Sequence, residues 1–376
     1  MARADLFVSE YHSRTARVLR GLRLDPLLVI GLLLLTVAGL GILYSAGDQS
    51  LALVQKQGVR LGLAFLVMVL VAQIPQHQLY LWTPWVYACG IILLLLVMIA
   101  GDVGKGAQRW LDLYVIRFQP SEMMKLLTPM MLAWFMSEKP MPPRIRTLLM
   151  AALLILVPTL LIARQPDLGT ALLVASAGFF VVFLAGLPWK ALFGTVFAAL
   201  ASVPVLWKFF MHDYQKQRVL TLLNPENDPL GAGYHIIQSK IAIGSGGLFG
   251  KGWLNGTQSQ LDFLPERSTD FIYAVFAEEF GIMGAMVLLA LYAFIILRGL
   301  VIAARAQDAY GRLLAGSLSL TFFVYLFVNV GMVSGILPVV GVPLPLVSYG
   351  GTSMVTLMAG FGMLMSINAN KRLLVR

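Results

Sequence analysis

The sequence predicts an all-α polytopic membrane protein, with about ten transmembrane helices in a single integral membrane domain over residues 1–376. Composition is the first observation behind this prediction. Apolar residues make up 59% of the chain and charged residues only 12%, about half the charge of an ordinary soluble domain. The mean hydropathy of +0.81 agrees with this. The second observation is that the apolar residues gather in runs long enough to cross a bilayer.

Ten apolar segments can be marked along the chain, separated by polar turns. The first is too long for a signal peptide and lacks a small-residue cleavage site, so we expect it to stay as the first span. Gly and Pro interrupt several of the others, and helix ends are expected only within a few residues of these limits. The segments cover residues 26–46, 58–74, 81–100, 121–137, 147–163, 169–187, 190–209, 270–298, 312–335 and 352–369.

Lys and Arg in the short connections predict the orientation of the chain, because cytoplasmic loops carry an excess of these residues. With a cytoplasmic N-terminus, the short outer loops hold about half as many of them as the inner side. An even number of spans then returns the C-terminus to the cytoplasm. Residues 210–269 become a large outer loop between helices 7 and 8. The inner cations are Arg3, Arg14, Arg17, Arg20, Arg23, Lys139, Arg144, Arg146, Lys190, Arg298, Arg305, Arg312, Lys371, Arg372 and Arg376.

Residue counts exclude several other classes of protein. The single Cys89 argues against a disulfide framework and against a cysteine metal site. The net charge of +10 fits cationic inner loops and an anionic lipid or phosphate ligand, so no nucleic acid partner is predicted. The four histidines are scattered and form neither an HExxH motif nor a Ser/His/Asp set. No inverted repeat typical of secondary transporters is visible.

One stretch, residues 261–281, places acids where a polar segment becomes a long apolar run. Ser and Thr side chains suited to helix capping predict that the eighth span begins near Asp270. Glu278 and Glu279 would then lie about 12 Å deeper, at ~1.5 Å per residue. Acids inside a membrane span are costly and by default mark function. The alternative for Asp270 is a helix N-cap that interacts with the helix dipole.

A second charged segment, residues 104–125, faces the same side. Glu122 and Lys125 are three residues apart on one helix face and can pair within the fourth span. The pair is either a structural ion pair or part of a site. Trp110, next to Arg109, is either an interfacial aromatic anchor or a functional side chain.

Two further motifs lie on that side. Asp167 opens the sixth span, as a helix cap or as a ligand. Three prolines and paired glycines make residues 337–353 a non-helical approach to the final span. Irregular backbone at membrane depth is tolerated only where it is buried in protein or lines a cavity, so the alternatives are a packing turn and a cavity wall. The long outer loop should hold an amphipathic helix on the membrane over 231–243, followed by a flexible glycine-rich turn over 244–252.

Together with Arg218 in the long loop, these groups place cations beside carboxylates at the outer side. The combination suits a diphosphate headgroup and a proton acceptor. In sugar transfer from a polyprenyl diphosphate, the neutralised diphosphate leaves without a general acid, whereas the attacking sugar hydroxyl needs a base. Asp270 is the best candidate for that base.

Five ordered motifs resemble those of the SEDS family (shape, elongation, division and sporulation), and the resemblance covers almost the whole chain. Within the family, the short N-terminal tail and the form of residues 261–281 resemble the elongation branch more than the division branch. The motifs are Gly106-Ala-Gln-Arg-Trp110, Phe118-Gln-Pro-Ser-Glu122, Gln165-Pro-Asp-Leu-Gly-Thr170, Pro265-Glu-Arg-Ser-Thr-Asp-Phe271 with Glu278-Glu279, and Pro343-Leu-Pro-Leu-Val-Ser-Tyr-Gly-Gly351.

The resemblance implies a ten-helix peptidoglycan glycosyltransferase of the bacterial cytoplasmic (inner) membrane, which polymerises lipid II at the periplasmic face and supports rod shape. By motif position, Asp270 corresponds to the catalytic aspartate of the family and Trp110 to a tryptophan important for activity. The resemblance also implies a class B penicillin-binding protein and other elongation-complex proteins as partners. A divalent cation, Mg²⁺ or Mn²⁺, is implied without assignable ligands. The substrate-binding positions expected beside Trp110 are Arg109, Arg117, Glu122, Lys125, Asp167, Arg218, Asp262 and Glu266.

Two other functions compete with this one. A lipid II flippase would use the same charged cavity, but a transporter needs polar access from both faces, and the ionisable residues collect towards the outer half. A non-catalytic scaffold for a partner synthase would leave the acids of the membrane span unexplained. The sequence therefore favours the enzyme.

Overall fold

The fold comes from a computed structural model, which describes residues 23–104, 107–112, 117–205, 207–208, 211, 213–228, 231–261, 263–264 and 266–370. Within these ranges, seven helices are long and apolar enough to cross a membrane by length and composition. Leu168–Leu184 is a shorter apolar helix. The described chain is thus mostly helical, as expected of a polytopic membrane protein.

Ten helices account for the ten apolar segments, so their predicted secondary structure is confirmed. Membrane crossing by the fourth, sixth and seventh of these helices stays a prediction, because they are shorter or less apolar than the other seven. The helices are α1 Pro26–Ala46, α2 Leu51–Gln73, α3 Gln76–Ala100, α4 Pro120–Ser137, α5 Ile145–Arg164, α6 Leu168–Leu184, α7 Trp189–Val205, α11 Ile272–Ala304, α12 Ala309–Val333 and α13 Thr352–Ala369.

Short elements fill the connections, and of these only α9 was predicted. A small antiparallel sheet precedes α4, with Val103 opposite Gln108 and Leu111 opposite Phe118. Three further helices and a 3₁₀ turn of the described chain lie between α7 and α11. The end of the bundle at which they lie is the loop end. The elements are β1 Asp102–Gly104, β2 Ala107–Asp112, β3 Arg117–Phe118, α8 Asp213–Leu223, the 3₁₀ turn Pro225–Asn227, α9 Ala232–Ser245 and α10 Thr257–Gln260.

Close packing holds the helices in one bundle. Helix α12 packs against α6 and α11, α4 packs against α3 and α6, and α13 runs along α2. The α2–α13 contact is so close that a Cβ atom on Gly362 would stand 2.5 Å from the Met68 carbonyl oxygen. Helix α9 packs against α11, and its buried Ser239 donates a hydrogen bond of 2.8 Å to the Val333 carbonyl. Helix α9, which the sequence predicted to lie on the membrane, therefore packs one face against protein.

A break in α11 at Gly281 admits the glycine-rich segment 244–252. Gly281 has φ 64° and ψ −164°, a conformation that essentially only glycine adopts. A Cβ atom there would lie 2.4 Å from the Gly250 nitrogen. Four backbone hydrogen bonds of 3.0–3.1 Å join the two segments: Lys251 N–Glu278 O, Gly252 N–Glu279 O, Ile282 N–Gly247 O and Met283 N–Leu248 O. The predicted turn is present, but the expectation that it is flexible was wrong, because these bonds fix the segment against α11.

The two acids beside this break have different partners. Glu278 is fully buried and accepts hydrogen bonds from Lys251 Nζ at 2.7 Å, Thr257 Oγ1 at 3.0 Å and the Gln258 backbone nitrogen at 3.1 Å. Glu279 accepts a short hydrogen bond from the Ser45 hydroxyl at the end of α1. Glu278 thus joins the long loop to α11, and Glu279 joins α1 to α11.

Candidate active site

A polar cavity of about 270 Å³ lies at the loop end of the bundle, where α4, α6 and α13 begin. Helix starts carry unpaired backbone N–H groups and the positive end of the helix dipole, so they favour anions. Six of the predicted site residues line this cavity. The sequence pattern alone placed these residues on the same side of the membrane but could not show that they share a cavity. They are Arg109, Trp110, Glu122, Lys125, Asp167 and Arg218, with Gln119, Thr170, Tyr325, Gly341, Thr352 and Ser353 among their neighbours.

Glu122 and Lys125 form the predicted pair in the first turns of α4. Lys125 Nζ lies 2.6 Å from Glu122 Oε1, and both residues are buried. Pro120 at the first helical position begins α4, which places both side chains beside the cavity. Lys125 Nζ also lies 5.0 Å from the centroid of the Tyr325 ring, and such contacts are attractive when desolvated. The pair is joined through one carboxylate oxygen only, because Glu122 Oε2 has no hydrogen-bond partner in the described part of the chain.

Asp167 is a helix cap and also a wall of the cavity. Its Oδ1 accepts a hydrogen bond of 3.3 Å from the Thr170 backbone nitrogen at the start of α6, and its Oδ2 accepts one of 3.0 Å from Gln119 Nε2. The predicted cap is confirmed. The second bond ties the start of α6 to the residue before α4, so two of the helix starts around the cavity are held together.

Arg109 and Trp110 reach the cavity from β2. The Arg109 guanidinium donates to the Gln165 carbonyl at 3.2 Å and, through a shorter bond, to the Pro166 carbonyl. Arg109 thus fixes the small sheet to the turn that precedes α6. Arg218 on α8 also lines the cavity, so the long loop contributes a cation to it.

Asp270 lies in a turn over residues 266–271 that precedes α11. The helix begins at Ile272 with Phe271 as its N-cap, so the alternative that Asp270 caps the helix was wrong. Its carboxylate lies next to Gly341, because a Cβ built on that glycine would be 3.5 Å from Asp270 Oδ2. Since Gly341 lines the cavity, Asp270 stands at its edge.

Hydrogen bonds lock the Asp270 turn to the motif before the final helix. Asn329 Nδ2 donates to the carbonyls of Asp270 at 2.9 Å and Val342 at 2.8 Å. The Ser348 hydroxyl donates to the Thr269 carbonyl at 2.5 Å. The segment before α13 is non-helical, as predicted, and it forms part of the cavity wall. Further bonds are Tyr349 N to Ser268 O at 2.9 Å and Gln57 Nε2 to Ser348 O at 3.1 Å.

Three predicted residues are not shown at the cavity. Glu266 is exposed and accepts a hydrogen bond of 2.8 Å from the Thr269 hydroxyl, so it stabilises the turn. Arg117 belongs to β3, opposite Asp112, and its side chain lies outside the described part. Asp262 lies outside the described residues altogether. Their roles in binding stay predictions.

His235 on α9 lies beside the Asp270 turn, with its ring centroid 5.6 Å from that of Phe271. Burial lowers the pKa of His235 from its usual value of 6.5, and the nearby carboxylates of Glu266 and Asp228 oppose this effect. The imidazole is therefore neutral at neutral pH. Because the pKa of His235 is lower in the folded protein, protonation of its imidazole favours the unfolded chain. The contribution of this residue to stability is therefore lost as the pH falls below about 6.5.

The described residues do not build a metal site of their own. No group of three or more His, Cys, Asp or Glu side chains in this part of the chain is close enough to hold a metal ion. Both oxygens of Asp167 already accept hydrogen bonds, and Glu122 Oε1 is engaged by Lys125. Glu122 Oε2 is left without a hydrogen-bond partner in the described part of the chain, but no set of three such side chains is present there to hold a resident ion.

A second cavity, of about 600 Å³, lies at the opposite end of the bundle, with Gln76, Tyr80, Glu138 and Asp308 among its lining residues. It is larger, but its acids already accept hydrogen bonds: Asp308 from Gln76 and Glu138 from Tyr80. None of the predicted site residues lies there. The cavity at the loop end is therefore the candidate active site.

Comparison with known proteins decides the family. The model of the FtsW, RodA and SpoVE cell cycle proteins matches residues 21–373. The chain belongs to this family, the SEDS proteins. The resemblance of the five motifs is thereby confirmed.

The relatives of this SEDS protein are named as peptidoglycan glycosyltransferases. It is 56% identical over 351 residues to the peptidoglycan glycosyltransferase MrdB of Escherichia coli K12, covering 93% of this chain and 95% of that one. It is 32% identical over 423 residues to the peptidoglycan glycosyltransferase RodA of Treponema pallidum, covering 92% and 98%. The predicted likeness to the elongation branch, that of RodA, is confirmed.

Solved structures share the fold of this SEDS protein. One is described as the structural coordination of polymerization and crosslinking by a peptidoglycan synthase complex. It matches with a TM-score of 0.80 and 32% identity, over 92% of this chain and 97% of that one. The rod shape determining protein RodA of Thermus thermophilus matches with a TM-score of 0.69 and 31% identity, over 92% and 96%.

Sequence reasoning missed several neutral polar residues of the site. Asn329 and Gln57 are buried in apolar helices, and a polar residue inside a membrane span is a signal that could have singled them out. Tyr325 gave no such signal, because tyrosine is common in apolar runs. Thr352 and Ser353 read as ordinary residues of a helix start.

Proposed function

We propose that this SEDS protein is the peptidoglycan glycosyltransferase that joins the disaccharide units of lipid II into glycan strands at the periplasmic face, in support of cell elongation and rod shape. One observation carries the proposal. A cavity lined by Lys125, Arg109 and Arg218 adjoins the carboxylate of Asp270. The family and the names of its relatives support the same activity.

The reaction exchanges one bond to sugar carbon C1. The 4-hydroxyl of the acceptor GlcNAc in lipid II attacks C1 of the lipid-linked strand. The new C1–O glycosidic bond forms while the bond from C1 to the diphosphate oxygen breaks. Asp270 accepts the hydroxyl proton, and the lipid diphosphate leaves with the bonding electrons. The strand, one disaccharide longer, is now carried by the acceptor lipid.

The chain's own cations make the diphosphate a good leaving group. Lys125 and Arg218 line the cavity, and the starts of α4, α6 and α13 add oriented N–H groups. Donors held in place before the reaction stabilise the charge that develops on the leaving oxygen. One base and a set of cations are enough, since the leaving diphosphate needs no proton.

Orientation follows from where the charged site lies. The Asp270 turn, α8 to α10 and the starts of five long helices, α2, α4, α6, α11 and α13, are at one end of the bundle. We place this end at the periplasmic face. Ten spans then put both termini in the cytoplasm, with the loop over about 210–269 outside the inner membrane. The positive charge of the short connections at the opposite end supports this arrangement.

A class B penicillin-binding protein is the proposed partner, because a glycan strand needs crosslinking once it is made. The peptidoglycan synthase complex that this chain resembles coordinates polymerization and crosslinking. Other proteins of an elongation complex are proposed on the strength of the relationship to RodA. The other proposed ligands are lipid II and the growing lipid-linked strand.

Mg²⁺ or Mn²⁺ is proposed as a companion of the substrate diphosphate, not as a resident ion. Mg²⁺ commonly binds phosphate oxygens with only one or two protein carboxylates. Such an ion would add positive charge at the diphosphate. Every step above uses only groups of the chain and the substrates.

The test compares wild type with Asp270→Asn, each with a class B partner, using fluorescent lipid II resolved on a gel with Mg²⁺, with Mn²⁺ or with EDTA. Loss of a general base lowers the rate by roughly 10²–10⁴-fold, so Asp270→Asn should give no visible polymer. Asp213→Asn, at an exposed position on α8, is the matched control and should match wild type.

Two results would contradict the proposal. Equal polymer from wild type and a well-folded Asp270→Asn protein would remove Asp270 from the mechanism. Absence of polymer from wild type under every condition, together with movement of the headgroup across proteoliposomes, would instead establish a lipid II flippase.

A further inference from the structure

Tyr325 on α12 is a buried residue of the cavity that the mechanism above does not use. It is 1% exposed and lines the cavity with Lys125 and Asp167. It also lines two much smaller neighbouring spaces. Its hydroxyl has no hydrogen-bond partner of ordinary length in the described part of the chain. Lys125 is close enough to interact with the hydroxyl oxygen, but an ammonium only donates, so the phenolic proton is left without a protein acceptor.

Two other buried tyrosines of the described helices donate their hydroxyls to backbone carbonyls. The Tyr87 hydroxyl donates to the Leu154 carbonyl at 2.7 Å, and the Tyr292 hydroxyl donates to the Pro345 carbonyl at 2.6 Å. A buried polar group without a partner costs free energy. Phenylalanine would fill the space of the Tyr325 ring without that cost. A hydroxyl retained under these conditions indicates a ligand.

The surroundings of Tyr325 select an anionic ligand. Lys125 Nζ lies 5.0 Å from the ring centroid, and its charge is shared with only one oxygen of Glu122. Arg109 and Arg218 line the same cavity. A phenolic O–H beside a lysine ammonium offers two donors to one group, and hydrogen bonds to charged oxygens are about twice as strong as those between neutral groups.

We propose that Tyr325 is a substrate-binding residue, whose hydroxyl donates a hydrogen bond to a phosphate oxygen of the lipid-linked diphosphate alongside Lys125. This inference rests on the proposed function, which supplies the diphosphate. It adds to that function a neutral donor, from a helix that none of the five sequence motifs includes. In the apo protein the hydroxyl costs stability, and the substrate recovers that cost on binding.

The test uses the full-length protein with its class B partner and compares Tyr325→Phe with Tyr87→Phe, which also removes one buried hydroxyl. For Tyr325→Phe, kcat/KM for lipid II should fall about tenfold, as expected for loss of one hydrogen bond to a charged group. Calorimetry with inorganic pyrophosphate should show a similar rise in Kd. The thermal midpoint should stay the same or increase.

Tyr87→Phe should give the opposite result, with a lower midpoint and unchanged values of kcat/KM and pyrophosphate Kd. If Tyr325→Phe leaves kcat/KM unchanged, or lowers the midpoint without weakening pyrophosphate binding, the hydroxyl is structural and the inference is overturned. A lower kcat/KM with an unchanged pyrophosphate Kd overturns the assignment to phosphate. Absence of pyrophosphate binding by wild type overturns it as well.

Failure of the proposed function would look different. Wild type would then form no polymer with its partner, whereas the pyrophosphate measurement does not depend on polymerisation. A difference in pyrophosphate Kd between wild type and Tyr325→Phe would stand in that case. The two proposals can therefore fail separately.

Discussion

Glu122 and Lys125 are buried charged side chains, and burying either one without the other would destabilise the folded protein. Both are buried beside the start of α4, 2.6 Å apart. A buried ion pair contributes little net stability, but removing one partner leaves an uncompensated charge, which costs about 3–5 kcal/mol. Stability and activity measurements on single and double variants can therefore separate the structural role of the pair from its chemical role.

The first prediction concerns this pair. Lys125→Met alone and Glu122→Leu alone should each lower the free energy of unfolding by about 3–5 kcal/mol, whereas the double variant should lie close to wild type in stability. All three should fail to polymerise lipid II, because the cation is lost or misplaced. Thermal unfolding in detergent and the gel assay measure the two effects. Full polymer from the stable double variant would show that the pair is only structural.

At this scale, spacing along the chain predicts what neighbours in sequence do. The i, i+3 interval of Glu122 and Lys125 and the position of Asp167 before an apolar run are enough to predict the pair and the cap. The environment of Tyr325 is not predictable in this way, since it includes Lys125 on α4 and Leu173 on α6, about 200 and 150 residues away in the chain. Asp270 was placed in the right turn, but the proximity of its carboxylate to Gly341, about 70 residues away in the chain, could not be predicted.

Helix α11 is divided by the break at Gly281, and the break holds the long loop. The glycine-rich segment enters where a side chain would otherwise stand, and backbone bonds fix it there. Lys251 then reaches the buried Glu278. The loop is thus positioned by a gap in a helix.

The second prediction tests this gap with Gly281→Ala. A residue other than glycine at φ 64°, ψ −164° costs about 1–3 kcal/mol, and the added Cβ would also meet the Gly250 nitrogen at 2.4 Å. The variant should lose at least that much stability, and trypsin should cut at Lys251 faster than in wild type.

Gly58→Ala is the matched control. It lies in α2 with no atom within 4 Å of its added Cβ, so it should stabilise the protein by about 0.5–1 kcal/mol. Equal midpoints for the two variants would show that the break is not needed.

Hydropathy predicted the long helices because each spans an apolar run, but it could not predict the break. Gly281 stands within the eighth apolar run, where an isolated glycine is usually tolerated without a kink. The small sheet before α4 was missed for a related reason. Its strands are two to six residues long, too short for an alternating pattern to show.

The whole molecule has a polar, functional end and an opposite end rich in short basic connections. Motifs separated by up to 250 residues meet at the functional end because every second long helix begins there. Sequence pattern could place Trp110, Asp167 and Asp270 on a common side. It could not give their distances, which depend on how α4, α6 and α13 pack.

The third prediction tests the orientation. In a Cys89→Ala background, a cysteine at Asn255, in the long loop, should react with a membrane-impermeant maleimide in intact spheroplasts. A cysteine at Gln307, in the turn between α11 and α12, should react only after permeabilisation. Both positions are exposed, so access to the label depends on the side of the membrane. The reverse pattern would invert the topology and place the Asp270 turn in the cytoplasm.

The composition of the cavity wall also determines when during synthesis the enzyme can first act. Its lining runs from Arg109 on β2 to Ser353, in the first turn of α13, the last helix of the described chain. A nascent chain that has released its first nine long helices into the membrane already has Asn329, but it still lacks one wall of the cavity and the hydrogen bonds that Ser348 and Tyr349 make with the Asp270 turn. We therefore expect a chain that ends before α13 to be inactive, and polymerisation to begin only when this last helix of the described chain has been inserted.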